Sequence, residues 1–120
     1  MHSEMVQLLG EFLGTFILIL LGNGVVSGVV LNKTKATGAG WVAITLGWGF
    51  AVMMGVYISG FMSPAHLNPA VTIAMAMIGS FSWSLVLPYI IAQMLGAMVA
   101  SIILYLMFYP HYAETKNPAD

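Results

Sequence analysis

His66-Leu67-Asn68-Pro69-Ala70-Val71-Thr72 opens an apolar run that is too short to cross a membrane, and it lies between two longer apolar segments. Asn and Pro are helix starters, favoured at the N-cap and at the first helical position. They ordinarily do this work at water. From Pro69 to Ile78 the run has ten residues, about 15 Å of helix. That is half of a ~30 Å hydrocarbon core. The preceding Ser63-Pro64-Ala65-His66-Leu67 is a poor helix, because Pro64 disfavours helical backbone at Ser63. Non-helical backbone at membrane depth survives only when buried in protein or lining a wet cavity. The segment is therefore predicted to be a re-entrant loop and half-helix, 63–78, facing a pore.

Composition places this segment in a membrane protein. Of 120 residues, 60% are hydrophobic and 6% charged, and the mean hydropathy is +0.95. A soluble domain carries about 25% charge. The chain is read as a multi-pass integral protein of the plasma or cytoplasmic membrane, with the lipid bilayer as its first partner. A net charge of −1 and the lack of Arg remove the electrostatic case for a nucleic-acid partner. The lack of Cys excludes disulfides and thiolate metal sites. No carboxylate pair, nucleophile–base set or phosphate loop is present. The expectation is a non-enzyme with no cofactor. The first apolar stretch has no basic segment before it and no clear cleavage site after it, so it is read as a retained span.

Three spans are predicted, at about 5–31, 41–61 and 83–109. Asn32 to Gly40 is a polar turn with Lys33 and Lys35, Gly79 to Ser82 a short turn, and 110–120 a polar tail. Pro88 falls near the start of the third span, where a proline does least harm. Trp41, Trp83, Tyr109 and Tyr112 fall near the expected interfaces, as an aromatic belt would. No internal repeat or second domain is visible, so 1–120 reads as one unit. Each span carries small residues at four-residue spacing: Gly10, Gly14, Gly24 and Gly28; Gly47, Ala51, Gly55 and Ser59; Ala92, Gly96 and Ala100. Such ladders let helices approach closely in lipid. They predict a tight bundle and say nothing of its task.

Asn68 is the residue with the most chemistry. At an N-cap its side-chain oxygen accepts from first-turn amides, and Pro69 is pre-shaped for the next position. The side-chain NH2 is then free to donate into a lumen. The half-helix N-terminus adds roughly half a positive charge, which orients a passing oxygen and repels cations. Carbonyls of the extended loop supply acceptors. A small neutral hydroxylic molecule needs that mixture to replace lost water. The bland alternative is an ordinary Asn-Pro turn between helices.

The heptapeptide from His66 to Thr72 resembles the first pore motif of the major intrinsic protein family, the aquaporins and glycerol facilitators. Glu11-Phe12-Leu13-Gly14-Thr15 resembles that family's first-helix signature, and Gln93 followed by Gly96-Ala97 resembles its third helix. The resemblance runs from about Gly10 to Phe108. It implies an all-α membrane protein: three transmembrane helices plus one re-entrant half-helix, one inverted repeat of the aquaporin-like fold. In the family, two such repeats make a right-handed bundle of six spans and two half-helices, assembled as a homotetramer. The implied topology puts the N-terminus and the half-helix loop on the cytoplasmic side. All three Lys would then lie outside, against the positive-inside rule.

The resemblance also assigns residues. Trp48, in Gly47-Trp48-Gly49, matches the selectivity position at which glycerol-type members carry Trp. A broad apolar ring packs against a polyol's carbon backbone. Read without the family, Trp48 is as well a lipid-facing or packing residue. Pro64, Ala65, His66, Leu67, Asn68, Pro69 and Ala70 form the implied pore segment. Glu11, deep in an apolar helix, needs partners. The family implies that it accepts from the loop's backbone amides, with Gln93 as a second support; the rival is a proton-coupled carboxylate. His66 has no second metal ligand nearby and reads as a neutral hydrogen-bonded side chain whose carbonyl faces the pore. Met53, Met54, Met75 and Met77 read as packing or lipid contacts.

The implied activity is passive permeation of glycerol, water and other small neutral solutes. One departure matters: this chain carries one repeat, and a second aquaporin-like repeat is needed for a complete pore. Asn117-Pro118-Ala119 repeats the tripeptide, but it follows Glu114-Thr115-Lys116 in a polar tail and precedes Asp120 instead of the family's pore Arg. It is read as chance. Two alternatives stay open. One is an inert or regulatory truncated channel fragment. The other is a small dual-topology multidrug transporter, whose first-helix Glu sits in a Glu-x-x-Gly-Thr setting like Glu11 to Thr15. That class needs four full spans and leaves residues 66–72 unexplained.

Overall fold

The architecture comes from a computed structural model in which residues 2–117 are described. Pro118, Ala119 and Asp120 lie outside the described residues, and with them most of the second tripeptide. Among the described residues there is no strand.

Helix α1 (Glu4–Val30) begins at Ser3, whose Oγ accepts from Val6 N at 3.3 Å. Its 27 residues make about 40 Å of helix. Helix α2 (Trp41–Ser59) and helix α4 (Val86–Met107) have 19 and 22 residues, about 28 and 33 Å. With the 3₁₀ turn Trp83–Leu85 ahead of α4, three helical segments are long and apolar enough to cross a membrane. Leu46, Phe50, Leu87, Ile102 and Leu106 stand exposed on their outer faces, as side chains do when lipid is the solvent.

Helix α3 (Pro69–Met77) is the half-length element, nine residues or about 14 Å. Local chemistry sets both of its ends. Asn68 is extended (φ −160°, ψ 123°), Pro69 occupies the first turn, and Asn68 Oδ1 accepts from Ala70 N at 2.8 Å. At the other end Gly79 takes φ +82°. Its N–H donates to Ala76 O (3.1 Å), and Ser80 N donates to Met75 O (2.9 Å). This is a Schellman stop, and glycine suits its left-handed residue.

Helix α1 is the central element, packed along α2 on one flank and α4 on the other, while α3 rests against α4. Small residues fix the crossings. A Cβ on Gly55 would lie 2.9 Å from Gly14 O, and one on Gly14 would lie 2.7 Å from Ser59 Oγ. A Cβ on Gly96 would strike the backbone of Phe12 and Phe16. Of the small-residue ladders, Gly10, Gly14, Ala51, Gly55, Ser59, Ala92, Gly96 and Ala100 are buried. Gly24 and Gly28 are not at a tight crossing: their nearest neighbours would be 3.6 and 3.8 Å away. Gly22 takes that place in α1, because the Trp48 ring lies directly over it.

The α1 C-terminus is closed by the following turn. Gly38 N donates to Val29 O (2.9 Å), Thr37 Oγ1 to Leu31 O (2.7 Å) and Thr34 Oγ1 to Gly28 O. Carbonyls that a helix end leaves unpaired are thus satisfied within the connection. The segment expected as a polar tail contains a short helix, α5 (Tyr109–Glu114). Pro110 has no N–H to continue α4 but fits the first turn of a new helix. Hydrogen bonds to the α1–α2 turn hold α5 in place. Asn32 N donates to Thr115 Oγ1 (2.9 Å), Asn32 Nδ2 to Glu114 O (3.2 Å) and His111 Nδ1 to Asn32 O (3.1 Å). Lys33 Nζ lies 3.0 Å from Glu114 Oε2, both exposed.

Candidate functional site

The loop between α2 and α3 is held by one buried carboxylate. Glu11 is fully buried, and Gly10 and Gly14 on either side of it let the loop approach. A Cβ on Gly10 would meet Met62 Cβ at 2.8 Å, and one on Gly14 would strike Leu67. Glu11 Oε2 accepts from Ser63 Oγ (2.6 Å) and His66 N (3.1 Å). Glu11 Oε1 accepts from Leu67 N (2.9 Å) and Gln93 Nε2 (2.8 Å). Four donors fill the acceptor capacity of one carboxylate. Ser63 Oγ in turn accepts from Ala65 N at 3.1 Å.

The geometry of the loop follows from these bonds. The described chain has no cis peptide, and in a trans peptide the N–H and C=O point in opposite directions. The N–H groups of His66 and Leu67 point at Glu11. The carbonyls of Ala65 and His66 therefore point away from it. Ala65 and Leu67 hold φ of +55° and +54°, left-handed backbone that costs a non-glycine residue on the order of 1 kcal/mol or more. The Glu11 bonds are what keep the chain there.

A second layer locks the start of α3. Gln93 Nε2 also donates to Thr72 Oγ1 (3.0 Å), and Thr72 Oγ1 lies 3.0 Å from His66 Nδ1. The Thr72 hydroxyl, with one donor and two acceptor sites, thus joins Gln93 to the His66 ring, the direction of the second bond following the ring's tautomer. The His66 ring packs edge-on against Phe81 (4.8 Å between centroids) and beside Tyr89 (5.5 Å). The Tyr89 hydroxyl donates to Gln7 Oε1, a further tie between α4 and α1. Among the described residues no cluster of metal-ligating side chains exists.

On the other side of the loop is a recess of about 340 Å³. Trp48, Leu67, Asn68, Pro69 and Gln93 line it, together with Thr15 of α1. The residues predicted from sequence thus divide. Trp48, Leu67, Asn68, Pro69 and Gln93 meet at the recess. Pro64, Ala65, His66 and Ala70 are not part of its wall, and Glu11 sits behind the loop. Asn68 is exposed, and its Nδ2 has no acceptor among the described residues. Trp48 is half-buried over Gly22, so its place is set by packing as well as by the recess.

Sequence reasoning missed Ser63, Thr72, Thr15 and Gly22. Thr72 carried a readable signal: it stands one helical turn after Asn68 in a run otherwise apolar, where a lone hydroxyl needs a partner. Ser63 had the weaker signal of a hydroxyl just beyond a span. Gly22 could not be distinguished from Gly24, because only the rotation of α1 about its axis decides which one meets Trp48.

Comparison with known proteins gives a consistent picture. The family model described as "Major intrinsic protein" matches residues 2–119. Glycerol uptake facilitator protein 3 of Lactiplantibacillus plantarum is 66% identical over 111 residues, covering 92% of this chain and 46% of that protein. The Glycerol uptake facilitator protein of Streptococcus pneumoniae is 60% identical over 114 residues, covering 95% of this chain and 49% of that protein. The X-ray structure of the aquaglyceroporin from Plasmodium falciparum superposes with a TM-score of 0.84 at 35% identity, covering 97% of this chain and 47% of that one. The chain spans about half the length of the curated relatives it matches.

Proposed function

The chain belongs to the major intrinsic protein family, and from that membership and the geometry above we propose that it supplies half of a passive channel for glycerol, water and other small neutral solutes. The observation that carries this reading is the meeting of Asn68, at the N-cap of a half-length helix, with Trp48 in one recess. Asn68 offers a free amide donor, and the Ala65 and His66 carbonyls, turned away from Glu11, offer acceptors. Trp48 offers an apolar surface for the carbon face of a polyol. Printed names of the relatives, glycerol uptake facilitators, support the substrate class.

Glu11 and Gln93 support the loop in this reading and carry no protons. All four donors to Glu11 belong to the loop or to Gln93, which argues against a proton-coupled transporter. Pro64, Ala65, His66, Leu67, Pro69 and Ala70 shape the backbone path. Completion needs a second aquaporin-like repeat, and the complete assembly is a homotetramer. One repeat provides one wall. Polar groups without an opposite wall face lipid at a cost of several kcal/mol each.

Stopped-flow light scattering of proteoliposomes tests this. The isolated chain is expected to give near-background glycerol flux. Co-expression with the C-terminal half of a full-length relative is expected to restore it, and Trp48→Phe should change the glycerol-to-water ratio. Water flux without glycerol flux in the complemented protein would reverse the substrate assignment. Strong glycerol flux from the isolated chain would remove the need for a second repeat.

A further inference from the structure

Part of the small-residue ladder of α1 is not explained by helix packing. A Cβ on Gly24 would lie 3.6 Å from Leu104 Cδ2, and one on Gly28 would lie 3.8 Å from Ala36 Cβ. Alanine fits both places and is the better helix former. What the two glycines do is leave a groove open. It has about 540 Å³, and its wall is apolar throughout: Leu20, Gly24 and Gly28 of α1, Ala36 of the α1–α2 turn, and Leu104 and Phe108 at the end of α4 are among its residues. Between Leu20 and Val29, both on the wall, α1 rises about 14 Å. One leaflet of a ~30 Å hydrocarbon core is about 15 Å deep. The groove therefore runs from the polar turn into the membrane by the depth of one leaflet.

Every basic side chain of the protein stands at this same end. The sequence has three Lys and no Arg. Lys33 and Lys35 lie in the turn whose Ala36 lines the groove. Lys116 follows Thr115, which accepts from Asn32 N in that turn. Among the described residues Glu114 is the only carboxylate at this end, and Lys33 holds it. Lys35 and Lys116 are exposed and make no ion pair among the described residues. A groove of similar size, about 560 Å³, lies at the opposite end of α1, but Glu4 stands on its wall, a charge of the other sign.

We propose that this groove binds one anionic phospholipid, with an acyl chain lying over Gly24 and Gly28 and the headgroup phosphate against Lys35 and Lys116. The chain supplies hydrocarbon to a wall without polar groups, and the missing Cβ atoms make room for it. The phosphate supplies the charge that the two lysines lack. A basic residue beside an anionic headgroup favours binding about fivefold. An uncharged or zwitterionic lipid fills the groove but gains little from the lysines, and a soluble anion gains nothing from the groove. A parallel second copy would bring its own lysines to the same depth, like charge toward like. The groove shares no wall residue with the recess of Trp48 and Asn68, so the site stands apart from the question of conduction.

Native mass spectrometry of the 120-residue chain, released from detergent micelles, tests this. The chain is offered equal amounts of phosphatidylglycerol and phosphatidylcholine with the same acyl chains. Wild type should retain one phosphatidylglycerol, preferred at least about fivefold over phosphatidylcholine. The double variant Lys35→Gln, Lys116→Gln should still retain a lipid but lose the preference. Gly24→Leu and Gly28→Leu, which fill the groove, should lose the retained lipid of either kind. Gly49→Leu, at a position on α2 where a Cβ meets nothing within 4 Å, should keep it. Equal retention of the two lipids by wild type would overturn the proposal. So would a preference that survives the double variant, or a lipid retained by a Gly24→Leu chain of native helicity. A dimer that excludes lipid and is lost in Gly28→Leu would give the groove to a second copy and overturn it as well. If neither glycine variant folds, wild type and the double lysine variant decide alone.

Discussion

The two halves of α1 perform opposite tasks with similar residues. In the N-terminal half, Gly10 and Gly14 leave no room for a Cβ, and the acidic residue between them takes four donors. In the C-terminal half, Gly24 and Gly28 would each accept a Cβ at ordinary contact distance. They border an open apolar groove of about 540 Å³. The acidic residue near that end is Glu114, exposed on α5 and paired with Lys33. The N-terminal half must grip a loop whose backbone cannot satisfy itself, so close approach and polar satisfaction coincide there. The C-terminal half is close only to α2, where Gly22 receives the Trp48 ring and Val25 meets Gly47; at Gly24 and Gly28 it borders elements already satisfied internally and leaves space. Glycine spacing alone does not measure tightness; what lies opposite the glycine does.

Glu11→Ala should show the contrast most strongly. It strips acceptors from four donors, three of them on the strained loop, and each buried orphan costs about 1–3 kcal/mol. A loss of at least about 4 kcal/mol is expected, read from an SDS titration in mixed micelles by Trp fluorescence. Glu11→Gln should lose less but still destabilise, because one acceptor oxygen becomes a donor. A Glu11→Ala chain as stable as wild type would mean that the loop is held by something else.

Next in size is the glycine pair. Gly96→Val drives a side chain into the backbone of Phe12 and Phe16, which cannot rotate away, and should cost about 1–3 kcal/mol. Gly24→Ala meets Leu104 Cδ2 at 3.6 Å and should be neutral, or stabilising by up to about 1 kcal/mol through helix propensity. The same titration compares them. Equal losses at the two positions would erase the distinction between the halves.

The smallest effect belongs to the exposed clasp. The Glu114 carboxyl is held below its ordinary value of 4.5, first by the hydrogen bond from Lys33 and then by that residue's charge. Because the folded-state value is depressed, the stabilisation is present above the ordinary carboxylate value. It is lost as pH falls through the lowered one. Wild type should melt slightly above Glu114→Gln at neutral pH, and the gap should close in acid. Added salt should also narrow it, as exposed pairs are screened. A gap that persists in acid would mean that the difference does not come from the Glu114–Lys33 ion pair.

Much of this arrangement was legible in the residues. Asn68-Pro69 and the apolar length after it announce a half-helix, and the three long apolar runs announce three spans. The need of Glu11 for donors could be read from its burial in an apolar helix. The Schellman stop at Gly79 was visible only as a turn, and α5 was not visible at all, because a six-residue polar helix has no periodic signal and depends on contacts with Asn32 and Lys33. Residues 118–120, which carry most of the second tripeptide, lie outside the described residues.

What the sequence by itself determined is local: where helices start and stop, how long they are, and which buried group demands partners. These depend on neighbours within a turn or two, through capping, proline geometry and glycine's left-handed backbone. What only the tertiary structure decided is who meets whom. Ser63, the amides of His66 and Leu67, and Gln93 converge on Glu11 across separations of 52 to 82 residues. Gly22 and not Gly24 receives Trp48. Those outcomes turn on the rotation and crossing of whole helices. A rotation of one residue is about 100°, enough to replace every partner, and no short stretch of sequence encodes it.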